Sequence, residues 1–117
     1  DNEVPLEGEY PPINVYANSE KATLVAELPG VHPENIDVTT SGDSLTITGE
    51  IEPAFQNEEA QPHRMERGSG KFSRTVRLPF PISHDKVEAE AKNGLLKLTL
   101  PRAEEDKPRK ISVQASE

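Results

Sequence analysis

The chain contains 117 residues, enough for one domain with a single modest core but not for two. Apolar residues make up 32% and aromatic residues 4% of it, and cysteine is absent, which excludes a disulfide framework and thiolate chemistry. The formal charge of −8 argues against a broad surface for nucleic acid or anionic membrane, since both need a basic face.

Alternation of apolar and polar residues predicts strands along most of the chain. In the first clear strand, KATLVAELPG, the residues Ala22, Leu24, Ala26 and Leu28 share one face before Pro29-Gly30 ends it. The next stretch, NIDVTTSGDSLTITGE, has two alternating arms around a Ser-Gly-Asp turn. It predicts a β-hairpin whose apolar positions are Ile36, Val38, Leu45 and Ile47.

The middle of the chain interrupts this pattern. Residues 52–62 are acidic, contain two prolines and predict a long exposed loop. The following HRMER, residues 63–67, is a short polar strand candidate with little to bury on either face. We expect it to make a poor strand unless it pairs with another chain.

The segment GKFSRTVRLP predicts a strand with a charge on its apolar face. Phe72, Arg74, Val76 and Leu78 fall on the same side, and Leu78-Pro79 ends the run. An arginine covered at that position must meet carboxylates or carbonyls, since an unpaired buried charge is costly. The alternative is that Arg74 faces solvent at a frayed position.

The stretch KVEAEAKNGLLKLTLP predicts a second hairpin. Asn93-Gly94 separates its two arms, and this pair favours a type I′ turn, in which both central residues need positive φ. VEAEAK alone is also good helix sequence, so the turn decides for strand. The apolar positions of the two arms are Val87, Ala89 and Ala91 on one side and Leu96, Leu98 and Leu100 on the other.

The C-terminal segment carries an isolated apolar pair in a polar tail. EEDKP after Arg102 predicts a linker, and beyond it Ile111 and Val113 are the only large aliphatic residues within KPRKISVQASE. Two such side chains gain roughly 3–6 kcal/mol gross on burial, and ordering a tail offsets much of this. They either insert into a neighbouring subunit or form a last strand on their own domain.

Seven or eight short strands joined by turns, without a confident helix, predict an all-β, antiparallel β-sandwich. No apolar run reaches membrane-spanning length and no signal peptide is recognisable, so we expect a soluble, cytoplasmic protein.

No catalytic constellation is visible. RGSGKF lacks the earlier glycine and the following Ser or Thr of a phosphate-binding loop. His32, His63 and His84 have no ligand spacing, and no two carboxylates are predicted to share an apolar pocket. We therefore expect no cofactor, no metal and no enzymatic activity.

Four motifs in order resemble those of the α-crystallin domain of small heat shock proteins. They are LPGV at residues 28–31, GKFSRTVRLP at 70–79, AEAKNGLL at 89–96 and the final I-x-V at 111–113. The resemblance runs from about Pro12 to Val113, and it implies an immunoglobulin-like sandwich. It also implies an ATP-independent chaperone that binds unfolding client proteins, built from homodimers that assemble into larger homo-oligomers.

The resemblance also assigns roles to residues. In the non-metazoan type a loop strand, here His63, Arg64, Met65, Glu66 and Arg67, pairs with the partner's first strand. The acceptor strand here spans residues 13–18 and includes Ile13 and Val15. Arg74 matches an interface arginine, with Glu66 or another acid of the loop strand as its candidate partner. Ile111 and Val113 insert into a neighbouring subunit's groove, for which the candidates are Ile36, Val38, Val87, Ala89 and Ala91.

These expectations divide the chain into a flexible remnant of an N-terminal arm at residues 1–11, the domain at 12–101 and a C-terminal extension at 102–117. Family members carry a longer arm, so client affinity and oligomer size do not follow from the resemblance. Two other classes remain open. A β-sandwich co-chaperone of an ATP-driven chaperone would not need the detached I-x-V, and an adhesion or carbohydrate-binding module would need a face of exposed aromatics.

Overall fold

The computed structural model describes residues 10–52 and 70–116, and within them seven β-strands form two antiparallel sheets. The strands are β1 (Ile13–Ala17), β2 (Lys21–Glu27), β3 (Ile36–Ser41), β4 (Ser44–Glu50), β5 (Lys71–Arg77), β6 (Glu88–Lys92) and β7 (Leu95–Pro101). Short 3-10 turns occur at Pro33–Asn35, His84–Lys86 and Glu104–Asp106. The predicted all-β sandwich is confirmed.

The strand order places four edges around the two sheets. The four-stranded sheet has the order β1-β2-β7-β6, and the three-stranded sheet has the order β3-β4-β5. In the described chain β1 and β6 are therefore the edges of one sheet, and β3 and β5 the edges of the other.

The core lies between the sheets and follows the alternation of the sequence. The predicted inward positions of β2, β4 and β7 are buried, with exposures of 4% or less: Ala22, Leu24, Ala26, Leu45, Ile47, Leu96, Leu98 and Leu100. No polar or charged side chain is buried among the residues that the structure describes. Burial of each Leu or Ile stabilises the fold by about 1.5–3 kcal/mol, so aliphatic area supplies the main favourable contribution.

The β6–β7 hairpin turns at Asn93 and Gly94. Lys92 pairs with Leu95 across the turn, which leaves a two-residue loop. Asn93 has φ 53° and Gly94 has φ 79°, the left-handed conformations of a type I′ turn. Asparagine and glycine are the residues that adopt them most readily.

The core extends beyond the predicted limits at residues 12 and 101. Tyr10 is buried, and its ring meets the Phe72 ring edge-on with centroids 5.4 Å apart. Ala103 is buried at the other end, and the segment predicted as a linker forms the 3-10 turn Glu104–Asp106. The sequence pattern missed these contacts because neither segment shows the alternation of a strand.

Gly49 makes room for the Phe72 ring. The two residues pair across β4 and β5, and a Cβ added to Gly49 would lie 2.6 Å from the Phe72 ring and 2.9 Å from the Asn35 carbonyl oxygen. Real Cβ atoms do not approach backbone and ring atoms so closely. The absence of a side chain at Gly49 thus lets the aromatic ring cover the strand.

Burial of Tyr10 predicts a pH dependence of stability. Burial raises the pKa of the Tyr10 phenol above its ordinary value, and the Glu27 carboxylate raises it further. The folded state therefore holds this proton more tightly than the unfolded state. The resulting stabilisation is complete below pH ~10, the ordinary tyrosine pKa, and is lost as pH rises through the higher folded pKa.

The chain has two tyrosines and no tryptophan, so the ultraviolet absorbance of phenolate can follow both tyrosines directly. We expect the phenolate absorbance of Tyr10 to rise only above the ordinary tyrosine pKa, because burial raises the pKa of this phenol, and Tyr10→Phe should lack that late rise. Tyr16→Phe isolates the signal, since Tyr10 is then the only tyrosine in the sequence. A Tyr10 step at the ordinary tyrosine pKa in Tyr16→Phe would contradict this assignment.

Candidate functional site

An apolar strip runs along two neighbouring sheet edges. Ile36 and Val38 on β3, and Val87 just before β6, are half-buried and pack against the core. On β6, Ala89 pairs with Leu98 and Ala91 with Leu96, which places both alanines on the core-facing side of their sheet. We call these five residues the edge strip: Ile36, Val38, Val87, Ala89 and Ala91.

Ala89 and Ala91 remain exposed although they lie on that side. All five residues of β6 are exposed, whereas the paired leucines of β7 are buried. In the described residues the second sheet has three strands against four, and the exposure of β6 shows that this narrower sheet does not cover it. The sequence pattern located the apolar face of β6 but could not show whether another layer covers it.

A hydrogen bond links the two sheets beside the edge strip. Thr40 Oγ1, on β3, lies 2.6 Å from Nδ1 of His84, in the 3-10 turn that precedes β6. This contact holds the edge of one sheet next to the start of the other sheet's edge strand. The edge strip therefore has a fixed position at that end.

The C-terminal pair Ile111 and Val113 is almost fully exposed. Ile111 is 81% and Val113 is 91% accessible to solvent. Residues 108–116 form no strand, and they make no hydrogen bond or ion pair with the rest of the described chain. Within the described residues the pair therefore does not form a last strand on its own domain.

The outer edge of β1 is open in the described chain. β1 pairs with β2 on one side, Ile13 packs against the core, and Val15 and Tyr16 are 38% and 62% exposed. Its unpaired backbone groups could accept a further strand. The predicted loop strand at residues 63–67 lies outside the described residues.

Arg74 lies in the middle of β5, opposite Ile47. Its side chain is half-buried, and its Nη1 donates a hydrogen bond to the Pro11 carbonyl oxygen. A carbonyl is one of the two partner types that the sequence argument required. No sequence pattern indicated Pro11 as the partner, and the candidate partner Glu66 lies outside the described residues.

The structure describes some of the residues that the sequence analysis considered for phosphate or metal binding. Lys71 of RGSGKF begins β5, so this segment is followed by a strand and not by a phosphate-binding helix. His32 Nε2 contacts the Glu52 carboxylate, His84 contacts Thr40, and His63 lies outside the described residues. In residues 10–52 and 70–116 no group of three His, Asp or Glu side chains could hold a metal ion.

The described segments contain no helix with the length and apolar character required to cross a membrane.

Comparison with known proteins identifies relatives over nearly the whole chain. The model of the Hsp20/alpha crystallin family matches residues 14–114. Heat shock protein 16 of Schizosaccharomyces pombe is 38% identical over 112 residues, which cover 93% of this chain and 77% of that protein. Spore protein SP21 of Stigmatella aurantiaca is 38% identical over 106 residues, which cover 91% of this chain but 63% of that protein.

Solved structures give the same result. Heat shock protein 16.0 from Schizosaccharomyces pombe matches with a TM-score of 0.63 and 36% identity, over 89% of this chain and 97% of that one. A small heat-shock protein from Xylella fastidiosa matches with a TM-score of 0.64 and 28% identity, over 92% and 99%. This chain spans about three fifths of the length of several curated relatives.

Proposed function

Because the chain belongs to the Hsp20/alpha crystallin family of small heat shock proteins and so has a chaperone role, we propose that it acts as an ATP-independent holdase. In this role it binds unfolding client proteins and prevents their aggregation. Its activity is binding rather than catalysis, and it operates in the cytoplasm without nucleic acid or membrane as a partner.

The observation that carries this proposal is the apolar surface that the isolated chain leaves in water. The edge strip borders two open strands, and the C-terminal pair is exposed close to its maximum. Unfolding proteins expose apolar side chains and unpaired backbone, which are the groups that an apolar strip beside open strands can bind. The same surfaces can also bind a second copy of this chain.

We propose that the C-terminal pair of one copy occupies the edge strip of another. Burial of Ile111 and Val113 would contribute roughly 3–6 kcal/mol gross, and ordering of the tail offsets much of this. A single contact is therefore weak and reversible. Many such contacts in one closed oligomer hold together through effective concentration, while each can open to expose an edge strip to a client.

The dimer proposal rests on the open edge of β1. A strand from residues 63–67 of one copy would pair with β1 of the other, and Arg74 would lie at the interface. The exposure of Val15 and the half-buried setting of Arg74 support this assignment. Exchange of identical strands satisfies both edges at once and so limits the contact to two chains.

The holdase proposal predicts protection without nucleotide. Light scattering of a heat-denatured client should fall in proportion to added protein and reach its minimum near a stoichiometric amount, with no ATP present. The reason is that binding alone supplies the protection and each edge strip is used once. Protection that appears only on adding ATP would contradict the proposal, and an equal mass of an inert acidic protein is the control.

A further inference from the structure

Arg102 makes several contacts that hold the segment after β7, where the chain leaves the domain. Its Nε donates to Asp106 Oδ2 at 2.8 Å, and its Nη2 donates to the Asp106 carbonyl oxygen at 3.1 Å. Its Nη1 reaches the Ser19 carbonyl oxygen at 3.2 Å, in the connection between β1 and β2. The guanidinium also lies over the Phe80 ring, 5.1 Å from the centroid. One planar fork thus joins three parts of the chain.

Lys107 makes a second link on the same segment. Its Nζ lies 2.9 Å from Glu104 Oε2 and 2.9 Å from Glu20 Oε1. Glu20 belongs to the same β1–β2 connection that Arg102 reaches through Ser19. Two cations therefore fix both ends of residues 102–107 to one surface of the domain.

The backbone of this segment is also docked. Ala103 is buried, and its N–H donates to the Pro81 carbonyl oxygen at 2.9 Å. Arg102 N–H donates to the Glu20 carbonyl oxygen at 2.9 Å, and Asp106 and Lys107 N–H groups close the 3-10 turn on Ala103 and Glu104. We call residues 102–107 the C-terminal anchor. These contacts end at Lys107, because residues 108–116 make none of them in the described chain.

We propose that the C-terminal anchor is a positioning element, in which Arg102 and Lys107 make the mobile tail begin at Pro108 and fix the direction in which it leaves the domain. The anchor thereby sets which neighbouring edge strip Ile111 and Val113 can reach. The choice of neighbouring edge strip rests on the proposed role of the C-terminal pair in assembly. The position at which the mobile tail begins does not depend on that role.

The anchor changes the reach of the tail. With the anchor in place the tether runs from Pro108 to Ile111 and spans at most about 14 Å. If the anchor is released the tether begins at Arg102 and spans up to about 35 Å. A short tether from a fixed point selects a narrow set of subunit spacings, whereas a long one permits many.

The direct test measures order in the anchor of the full-length chain. In Arg102→Gln and Lys107→Gln, the amides of Asp106 and Lys107 should exchange hydrogen at least roughly tenfold faster, because charge-assisted bonds no longer hold the turn. Nitrogen-15 relaxation should show the onset of fast backbone motion move from Pro108 towards Arg102. Lys110→Gln is the matched control, since it removes the same charge from a residue outside the anchor.

Asp106→Asn removes the carboxylate from the other side of the Arg102 contact and keeps the test available if Arg102→Gln does not fold. Arg102→Lys keeps the charge without the fork and should restore only part of the protection. Unchanged exchange and an unchanged onset of motion in these variants would overturn the proposal.

Native mass spectrometry tests the consequence for assembly. The anchor variants should give a broader distribution of oligomer masses than the parent, and the Lys110→Gln control should not. If the distribution is unchanged although replacement of the C-terminal pair dissociates the oligomer, the anchor does not select the neighbour and that part is overturned. If replacement of the pair also leaves the oligomer intact, the proposed role of the pair fails, and relaxation alone decides whether the anchor fixes the start of the tail.

Discussion

Replacing Arg74 by glycine is expected to weaken the dimer by roughly 3–5 kcal/mol, which raises its dissociation constant at least about a hundredfold. The physical reason is the removal of a half-buried cation whose planar fork can serve several acceptors at once. Acidic groups of an exchanged loop strand would then be left without a counter-charge at the interface. Sedimentation of a dilution series measures the dissociation constant, and the variant should also aggregate more readily.

The contact between Arg74 and Pro11 allows a second explanation for the effect of Arg74→Gly. Arg74 holds the Pro11 carbonyl within one chain, so its loss can also loosen the segment before β1 without affecting a partner. A lower melting temperature with a dissociation constant within a few-fold of the parent would make Arg74 an intrachain contact and would withdraw the interface assignment.

Three further variants separate these effects. Ser73→Gly places glycine at an exposed neighbour on β5 and controls for the loss of strand propensity. Arg74→Lys should recover only part of the affinity, because lysine supplies charge without the fork. Deletion of residues 56–67 should produce monomers, and a dimer that survives it would count against strand exchange.

Replacing both Ile111 and Val113 by glycine should reduce the oligomer towards dimers while the domain stays folded. The pair is 81% and 91% exposed and makes no hydrogen bond with its own domain in the described structure, so the thermal unfolding of the dimer should not change. Between subunits, the loss of both side chains removes the burial that would hold the tail in place. Native mass spectrometry of the variant reports the assembly size directly.

The matched control replaces Ser112 and Gln114 by glycine. It adds the same backbone freedom to the tail but keeps both aliphatic side chains, so the oligomer should persist. An unchanged oligomer after loss of the pair would refute its proposed role. A marked loss of thermal stability in the isolated dimer would instead favour packing of the pair against its own domain.

The alternation of side chains predicted most of the sandwich because each strand buries one face. Leu24, Leu45 and Leu98 are buried, as their spacing predicted. Asn93-Gly94 forms the predicted hairpin turn, which identified VEAEAK as a strand although its composition also suits a helix. The pleat of a β-strand points successive side chains to opposite faces. A strand that buries one face therefore has apolar residues at every second position, and this pattern can be recognised in the sequence.

The sequence could not predict contacts that depend on how segments meet in space. Tyr10 joins the core through Phe72, Arg74 reaches Pro11, and Arg102 links β7 to the β1–β2 connection. These contacts join residues far apart in the chain and leave no local periodicity. The EEDKP segment looked like a linker for the same reason, since its order comes from cations that bind other parts of the domain.

The candidate site also has some features that the sequence could predict and others that it could not. The residues of the edge strip and the C-terminal pair could be named from the sequence, because they are apolar positions of predicted strands or of the polar tail and the family resemblance suggested their roles. The exposure of Ala89 and Ala91 could not be predicted in the same way, because it depends on whether a strand of the other described sheet lies over β6. Which copy fills the strip is a property of the assembly and not of one chain.

The pairing of β2 with β7 has a consequence for synthesis of the protein. These central strands of the four-stranded sheet come from opposite ends of the domain sequence, whereas β3 and β4 are neighbours that can pair locally. Translation delivers about 5–20 residues per second, so the β1–β2 hairpin must wait on the ribosome until β7 emerges. A lone hairpin is marginally stable, and Leu24 remains uncovered during that interval. The nascent chain is thus itself a species with exposed apolar surface until β7 is made.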